Sequence, residues 1–232
     1  LVKKKSSAHG GTRHGMTLLF YPITRPRLWA MYKTQEATMW TKEELDLCDD
    51  KFESLPPDER QLLMQILMFF AFADGSVVEQ LLNSFLVDSP PWPECRAFYA
   101  AQAFNEVVHA ETYTALIQQY CTSDTERTTV HNAVKTMDHV RRKAEWIELY
   151  MDRSRSYPQR LVAFACLEGV MFSAAFAVIF YLKSRGRDLP GLYTANEFIA
   201  RDEGLHCLFA CEVFAHLSVD DQRAANVETI VA

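Results

Sequence analysis

The chain has 232 residues, 49% of them apolar, with only 8 Gly and 9 Pro to interrupt them, enough for one large domain or two small ones. A net charge of −6 leaves no electrostatic footprint for nucleic-acid binding. Six scattered cysteines (48, 95, 121, 166, 207 and 211) form no CxxC pair, which suits a reducing compartment and buried free thiols; Cys207 and Cys211, one helical turn apart, read as packing.

Residues 1–18 read as a flexible arm, and "LVKKKSSAHGGTRHG" lacks the apolar core of a secretory signal. From "YPITRPRLWAMYKTQEATMW" onward, apolar residues recur at helical spacing. "SLPPDER", a Ser and two prolines before an acidic first turn, opens a long helix that continues through "QLLMQILMFFAFADGSVVEQLLNSF". After the Pro-rich break "VDSPPWPE", a helix is expected over about 94–120, then another over about 125–150. "SYPQR" opens the apolar segment "LVAFACLEGVMFSAAFAVIFYL", and "KSRGRDLPG" ends it. The last full helix covers about 193–217, and "SVDDQR" starts one more. No strand pattern stands out, so the fold class is all-α, a bundle of long helices.

The segment 161–182 is long enough to cross a membrane, but it carries Glu168 near its first third. A helix apolar all round is equally expected at the centre of a bundle, and that is the preferred reading. A lone buried acid costs several kcal/mol (order of magnitude) unless something positive faces it.

Two further stretches supply the answer. "NEVVHAETY" holds Glu106 and His109, and "RDEGLHC" holds Glu203 and His206; a spacing of three puts each pair on one helical face. Asp74 and Glu168 sit inside apolar runs on two other helices. An acid from each of two helices and Glu-x-x-His from each of two more is the di-metal carboxylate plan of ferritin-like bundles. Two divalent cations cancel the four carboxylates, as do two trivalent cations with a bridging oxide. Mixed imidazole and carboxylate ligation suits iron or manganese, and the lack of thiolates argues against structural zinc. The rival for each acid is a salt bridge to Lys or Arg.

Tyr113 lies four residues after His109 and seven after Glu106, on the same stripe, so its ring can approach the metals. Phe172 and Phe176 follow Glu168 by four and eight, and Ile199 precedes Glu203 by four. All three should face the interior and wall Tyr113 from water.

With these residues in hand, the chain from about Leu19 onward resembles the small, radical-bearing subunit of class I ribonucleotide reductase, of the eukaryotic or eukaryotic-virus type. "FYPI", "ATMWTKEELDL", "FFAFADG", "NEVVHAETY", "LEGVMFS" and "RDEGLHC" carry the likeness. The resemblance implies a ferritin-like di-iron domain over 19–232. Asp74, Glu106 and His109 would hold one metal and Glu168, Glu203 and His206 the other, with Glu106 among the bridges. It implies two iron ions per chain, manganese being the alternative, with an oxide derived from O2. Tyr113 matches the radical-bearing tyrosine, with Phe172, Phe176 and Ile199 as its pocket. Trp40 matches the tryptophan of the long-range radical path, and Asp202 the acid joining it to His109. A homodimer, a large catalytic subunit as partner, no nucleic acid, no membrane and a cytoplasmic location (the host's, if viral) are also implied. Family members continue past this end with further helices and a tail that docks on the large subunit, so the chain reads as a fragment or as an abnormally short protein. A di-iron oxidase or hydroxylase of the same fold, or a ferritin-like iron-binding protein, are the alternatives.

Overall fold

The computed structural model describes residues 22–121 and 137–231, together with positions 123, 128 and 132. The expected arm 1–18 lies outside the described residues, as does most of 122–136. Every regular element among the described residues is helical.

Helix α1 is Pro26–Ala37. Two short 3₁₀ turns, Lys42–Glu44 and Phe52–Ser54, lead to α2, which starts at Pro57 with Asp58 and Glu59 in its first turn. This proline has no N–H to waste and the acids favour the positive end of the helix dipole. Helix α2 runs as Pro57–Gln80, passes through a π-helical turn, Leu81–Phe85, and closes with Leu86–Asp88. Helix α3 is Pro93–Tyr120 and α4 is Asp138–Met151. Helix α5 begins at Tyr157 behind a Ser156 capping box, includes a second π turn at Leu167–Met171, and ends at Ser184. Helix α6 is Pro190–Ala215, followed by the short α7, Val219–Ala225, and α8, Val227–Val231.

Helices α2, α3, α5 and α6 surround a core in which Phe70, Phe85, Phe98, Phe164, Phe172 and Phe209 are fully buried. Both α2 and α5 are long and apolar enough to cross a membrane, yet about half of each apolar window is buried within the protein. Helices α5 and α6 touch closely at Gly169, where a Cβ would lie 2.4 Å from Cys207 Sγ. Asp50, in the loop before α2, fixes the start of α6: it accepts from the backbone N–H of Gly191 and Leu192 and from the Tyr120 hydroxyl. The chain ahead of α1 is tied to α3 by buried Glu94, which accepts from the N–H groups of Thr24 and Arg25.

Three expectations need correction. Helix α6 starts at Pro190 rather than near 193, because proline fits the first turn of a helix as well as it ends the preceding one. The helix expected over about 125–150 is broken at Met137, which is extended, so α4 begins at Asp138; most of 125–136 lies outside the described residues. Not all the cysteines are buried: Cys48 lies on a loop and Cys211 on the outward side of α6, and both are exposed. All six are free thiols.

Candidate metal centre

Each of the four central helices delivers acids to one level of the core. Asp74 comes from α2, Glu106 and His109 from α3, Glu168 from the π turn of α5, and Glu203 and His206 from α6; all six are buried. A π turn inserts one extra residue per turn and is frequent at functional sites; here it carries Glu168 itself. The side chains form two overlapping sets whose ligand atoms lie within 4.8 Å of one another: Asp74, Glu106 and His109, and Glu106, Glu168, Glu203 and His206. Glu106 belongs to both, the position a bridging carboxylate requires.

The two imidazoles are oriented alike. His109 Nδ1 lies 3.0 Å from Glu203 Oε1 and 3.3 Å from Glu106 Oε2, while His206 Nδ1 lies 2.9 Å from Glu106 Oε1. Each Nε2 points away from the acids. That of His109 meets Asp202 Oδ2 at 3.3 Å, and that of His206 meets the Gln35 amide at 3.0 Å. Gln35 Oε1 is buried without a partner among the described residues. The amide orientation that places this oxygen against Nε2–H satisfies both groups and leaves Nδ1 free to bind a cation.

The residues fit a pair of metal ions. Both oxygens of Asp74 and one oxygen each of Glu106, Glu168 and Glu203 are buried with no hydrogen-bond partner among the described residues, and His206 Nδ1, although 2.9 Å from Glu106 Oε1, makes no aligned hydrogen bond either. Buried polar atoms are rarely left so, and six in one cavity point to a missing shared partner. The salt-bridge rival fails: no Lys or Arg among the described residues pairs with any of the four acids.

The electrostatics of the metal-free cluster agree. Burial, then the facing carboxylates of Glu106 and Glu203, raises the pKa of Asp74 well above the ordinary range; burial with Glu203 and Glu106 does the same to Glu168. Burial pushes Glu106 upward too, but the imidazoles of His206 and His109 outweigh it and hold Glu106 at about 2. Burial lowers the histidines, yet the carboxylates win: His206 rises to about 9 and His109 well above its usual value. Protons on Asp74, Glu168 and both histidines therefore occupy the role that cations would take.

Tyr113 is 2% exposed, and its hydroxyl has no partner among the described residues. Its ring stacks on Phe70 at 4.8 Å between centroids. Phe172 and Phe176 pack on the same Phe70, at 5.3 and 4.9 Å, and Ile199 is buried on α6. Phe70 is thus the ring that stacks on Tyr113, and the two anticipated phenylalanines pack on Phe70. On the other side of His109, Trp40 Nε1–H donates to Asp202 Oδ2 at 2.7 Å, and the indole stacks on the His109 ring at 5.9 Å. Asp202 Oδ2 also accepts from Asn105 Nδ2, and Oδ1 accepts two bonds from Arg201. Burial pushes Asp202 up, but its bond to His109 and the charge of that ring bring it down to about 2.

Sequence reasoning missed Phe70, Gln102, Asn105 and Gln35. The first three had a signal: each lies four residues before a cluster residue (Asp74, Glu106 and His109), on the same helical face. Gln102 donates to Glu168 Oε1 at 3.0 Å. Gln35, from α1, had none, since it meets His206 only through the tertiary fold.

A family model described as "Ribonucleotide reductase, small chain" matches residues 18–232. The chain is 44% identical over 199 residues to the ribonucleoside-diphosphate reductase small chain of Nicotiana tabacum, covering 85% of this chain and 60% of that one. It is 44% identical over 201 residues to the ribonucleoside-diphosphate reductase small chain of variola virus, covering 86% and 62%. The Rnr4 homodimer of Saccharomyces cerevisiae superposes with a TM-score of 0.79 at 29% identity, covering 92% of this chain and 68% of that one. The chain thus spans less than two thirds of the length of the Nicotiana and variola relatives.

Proposed function

Because the chain belongs to the ribonucleotide reductase small-chain family, we propose that it is the radical-storing part of a ribonucleoside-diphosphate reductase. It would pair as a homodimer, as the yeast relative does, and work in the cytoplasm with a large catalytic subunit that reduces ribonucleotides to deoxyribonucleotides. The observation that carries the reading is the set of six orphaned buried atoms on Asp74, Glu106, Glu168, Glu203 and His206, which cluster with His109 around Glu106.

In this reading Asp74, Glu106 and His109 would hold one iron, and Glu168, Glu203 and His206 the other, Glu106 belonging to both sets of ligand atoms. A metal pair held there would supply, once reduced and exposed to O2, the one-electron oxidising power needed at Tyr113. The chain's own residues do the rest. Burial, then the charge of Asp74, raises the pKa of the Tyr113 phenol, so the ring keeps its proton until it is oxidised. Phe70, Phe172 and Phe176 keep water and reductants from the ring. Asp202 fixes the His109 ring through Nε2 and holds the Trp40 indole by its N–H. This gives an unbroken hydrogen-bonded line from the metal ligand to Trp40, along which an electron returns to Tyr113 in the reverse sense. The bond to His109 and the charge of that ring, with smaller help from Trp40 and Arg201, keep this acid ionised.

The test is low-temperature electron paramagnetic resonance on iron-loaded, O2-exposed protein. An organic radical signal is expected in wild type and lost in Tyr113→Phe with iron retained. Iron bound with no radical in wild type would favour an oxidase of the same fold. Many irons per chain in a cage would favour storage.

A further inference from the structure

Helix α3 carries a second buried tyrosine that the proposed function does not use. Tyr99 precedes Glu106 by seven residues and Tyr113 follows it by seven, so each lies about 10 Å along the helix from the shared metal ligand, on opposite sides. Both are nearly or fully buried. Their hydroxyl surroundings differ: the Tyr113 hydroxyl has no partner among the described residues, whereas the Tyr99 hydroxyl lies 2.9 Å from the Tyr157 hydroxyl and beside the buried Cys95 thiol.

The path from the metal side to this pair is continuous. Phe98 sits edge-on to His206 at 6.1 Å, Phe98 stacks on Phe209 at 3.6 Å, and Phe209 meets Tyr99 at 5.4 Å. The Glu168 carboxylate is among the charges the Tyr99 phenol feels. Beyond Tyr99, Tyr157 stands at the first turn of α5 and is partly exposed. Phe85 packs against both rings, at 5.6 and 5.8 Å, and holds the pair together.

We propose that Tyr99 and Tyr157 form a second oxidisable pair, a discharge path that leads oxidising equivalents from the His206–Glu168 side of the metal centre to solvent. This rests on the proposed function, which supplies the oxidant. Tyr99 gives one electron to the O2-oxidised metal centre. Its phenolic proton passes to Tyr157 Oη as Tyr157 releases its own to water. Tyr157 then gives the Tyr99 radical one electron and the proton held between the two hydroxyls, which moves the radical to Tyr157; there a small thiol in solution supplies one electron and one proton, and two of the resulting thiyl radicals couple to a disulfide. The contrast in hydroxyl environment assigns the division of labour: an isolated phenol stores the oxidising equivalent, and a hydrogen-bonded phenol with an outlet drains it.

The experiment uses iron-loaded Tyr113→Phe, reduced, mixed with O2 and freeze-quenched, with ring-deuterated tyrosine or tryptophan incorporated. A transient signal that narrows with deuterated tyrosine is expected. It should vanish in Tyr113→Phe/Tyr99→Phe with iron retained, and decay more slowly in Tyr113→Phe/Tyr157→Phe, where the outlet is removed. Both changes keep the ring, and iron content with circular dichroism checks the fold. A tyrosine signal unaffected by Tyr99→Phe, a signal from tryptophan alone, or no signal with iron bound would overturn the proposal. Wild type separates the two claims: a Tyr113 radical there leaves the proposed function standing when the discharge path fails, and its absence removes the proposed function itself.

Discussion

Replacing Glu168 by Gln in the metal-free protein tests the electrostatic account of the cluster. Gln keeps the volume and an oxygen for the bond from Gln102 Nε2, but removes a carboxyl whose pKa burial and the charges of Glu203 and Glu106 raise well above normal. An acid with a raised folded-state pKa keeps its proton in the fold while the unfolded chain loses it. The folded state therefore binds more protons above the unfolded pKa, and stability falls as pH rises. If Glu168 stays protonated in the fold from pH 5 to 7, this loss reaches about 2.5 kcal/mol, from 1.36 kcal/mol per pH unit and partial titration of the unfolded group at pH 5. The Gln variant escapes it. Urea unfolding of both metal-free proteins at pH 5 and 7 should show the variant gaining on wild type by up to about that amount, and overtaking it at pH 7. A difference between the two that does not change with pH, or a metal-free variant less stable at pH 7, would refute the reasoning.

Three other outcomes are expected. Loading the metal pair at pH 7 should release roughly four protons, from Asp74, Glu168, His109 and His206; calorimetry in buffers of different ionisation enthalpy counts them, and a release near zero would contradict the assigned protonation. Asp202→Ala should weaken metal binding by about 10–100-fold, because it frees the His109 ring; competition with a chelator measures this, and an unchanged affinity would remove Asp202 from its orienting role. Phe70→Ala should cost about 3–5 kcal/mol in unfolding free energy and shorten the life of the Tyr113 radical, since it deletes the ring stacked on Tyr113; a lifetime equal to wild type would show that Phe172 and Phe176 suffice as the wall.

The four ligand-bearing helices were legible because their signals are local. Helical spacing of three in "NEVVH" and "DEGLH" and an acid in each of two apolar runs are visible without any tertiary contact. The Trp40–Asp202–His109 line became legible only through resemblance, for Trp40 and Asp202 are 162 residues apart and neither residue type alone points to the other. Phe70 lies four residues before Asp74 in "FFAFADG", a signal that could be read, but the phenylalanines at 69 and 72 compete with it for the eye. The π turn at Leu167–Met171 left no mark, since one extra residue does not disturb a run in which almost every position is apolar; the one at Leu81–Phe85 was not anticipated either. Gln35 illustrates the same limit, since α1 carries a weak apolar stripe and its buried amide is explained only by His206 on α6.

The central claim is that six side chains from four helices converge on two cations. Anomalous diffraction from crystals loaded with ferrous iron under anaerobic conditions tests it most directly. The account predicts two peaks, with Glu106 between them, each with one histidine bound through Nδ1 while Nε2 keeps its contact to Asp202 or to Gln35. A single peak, ligation through Nε2, or iron bound only at the surface with the six side chains unchanged would contradict it.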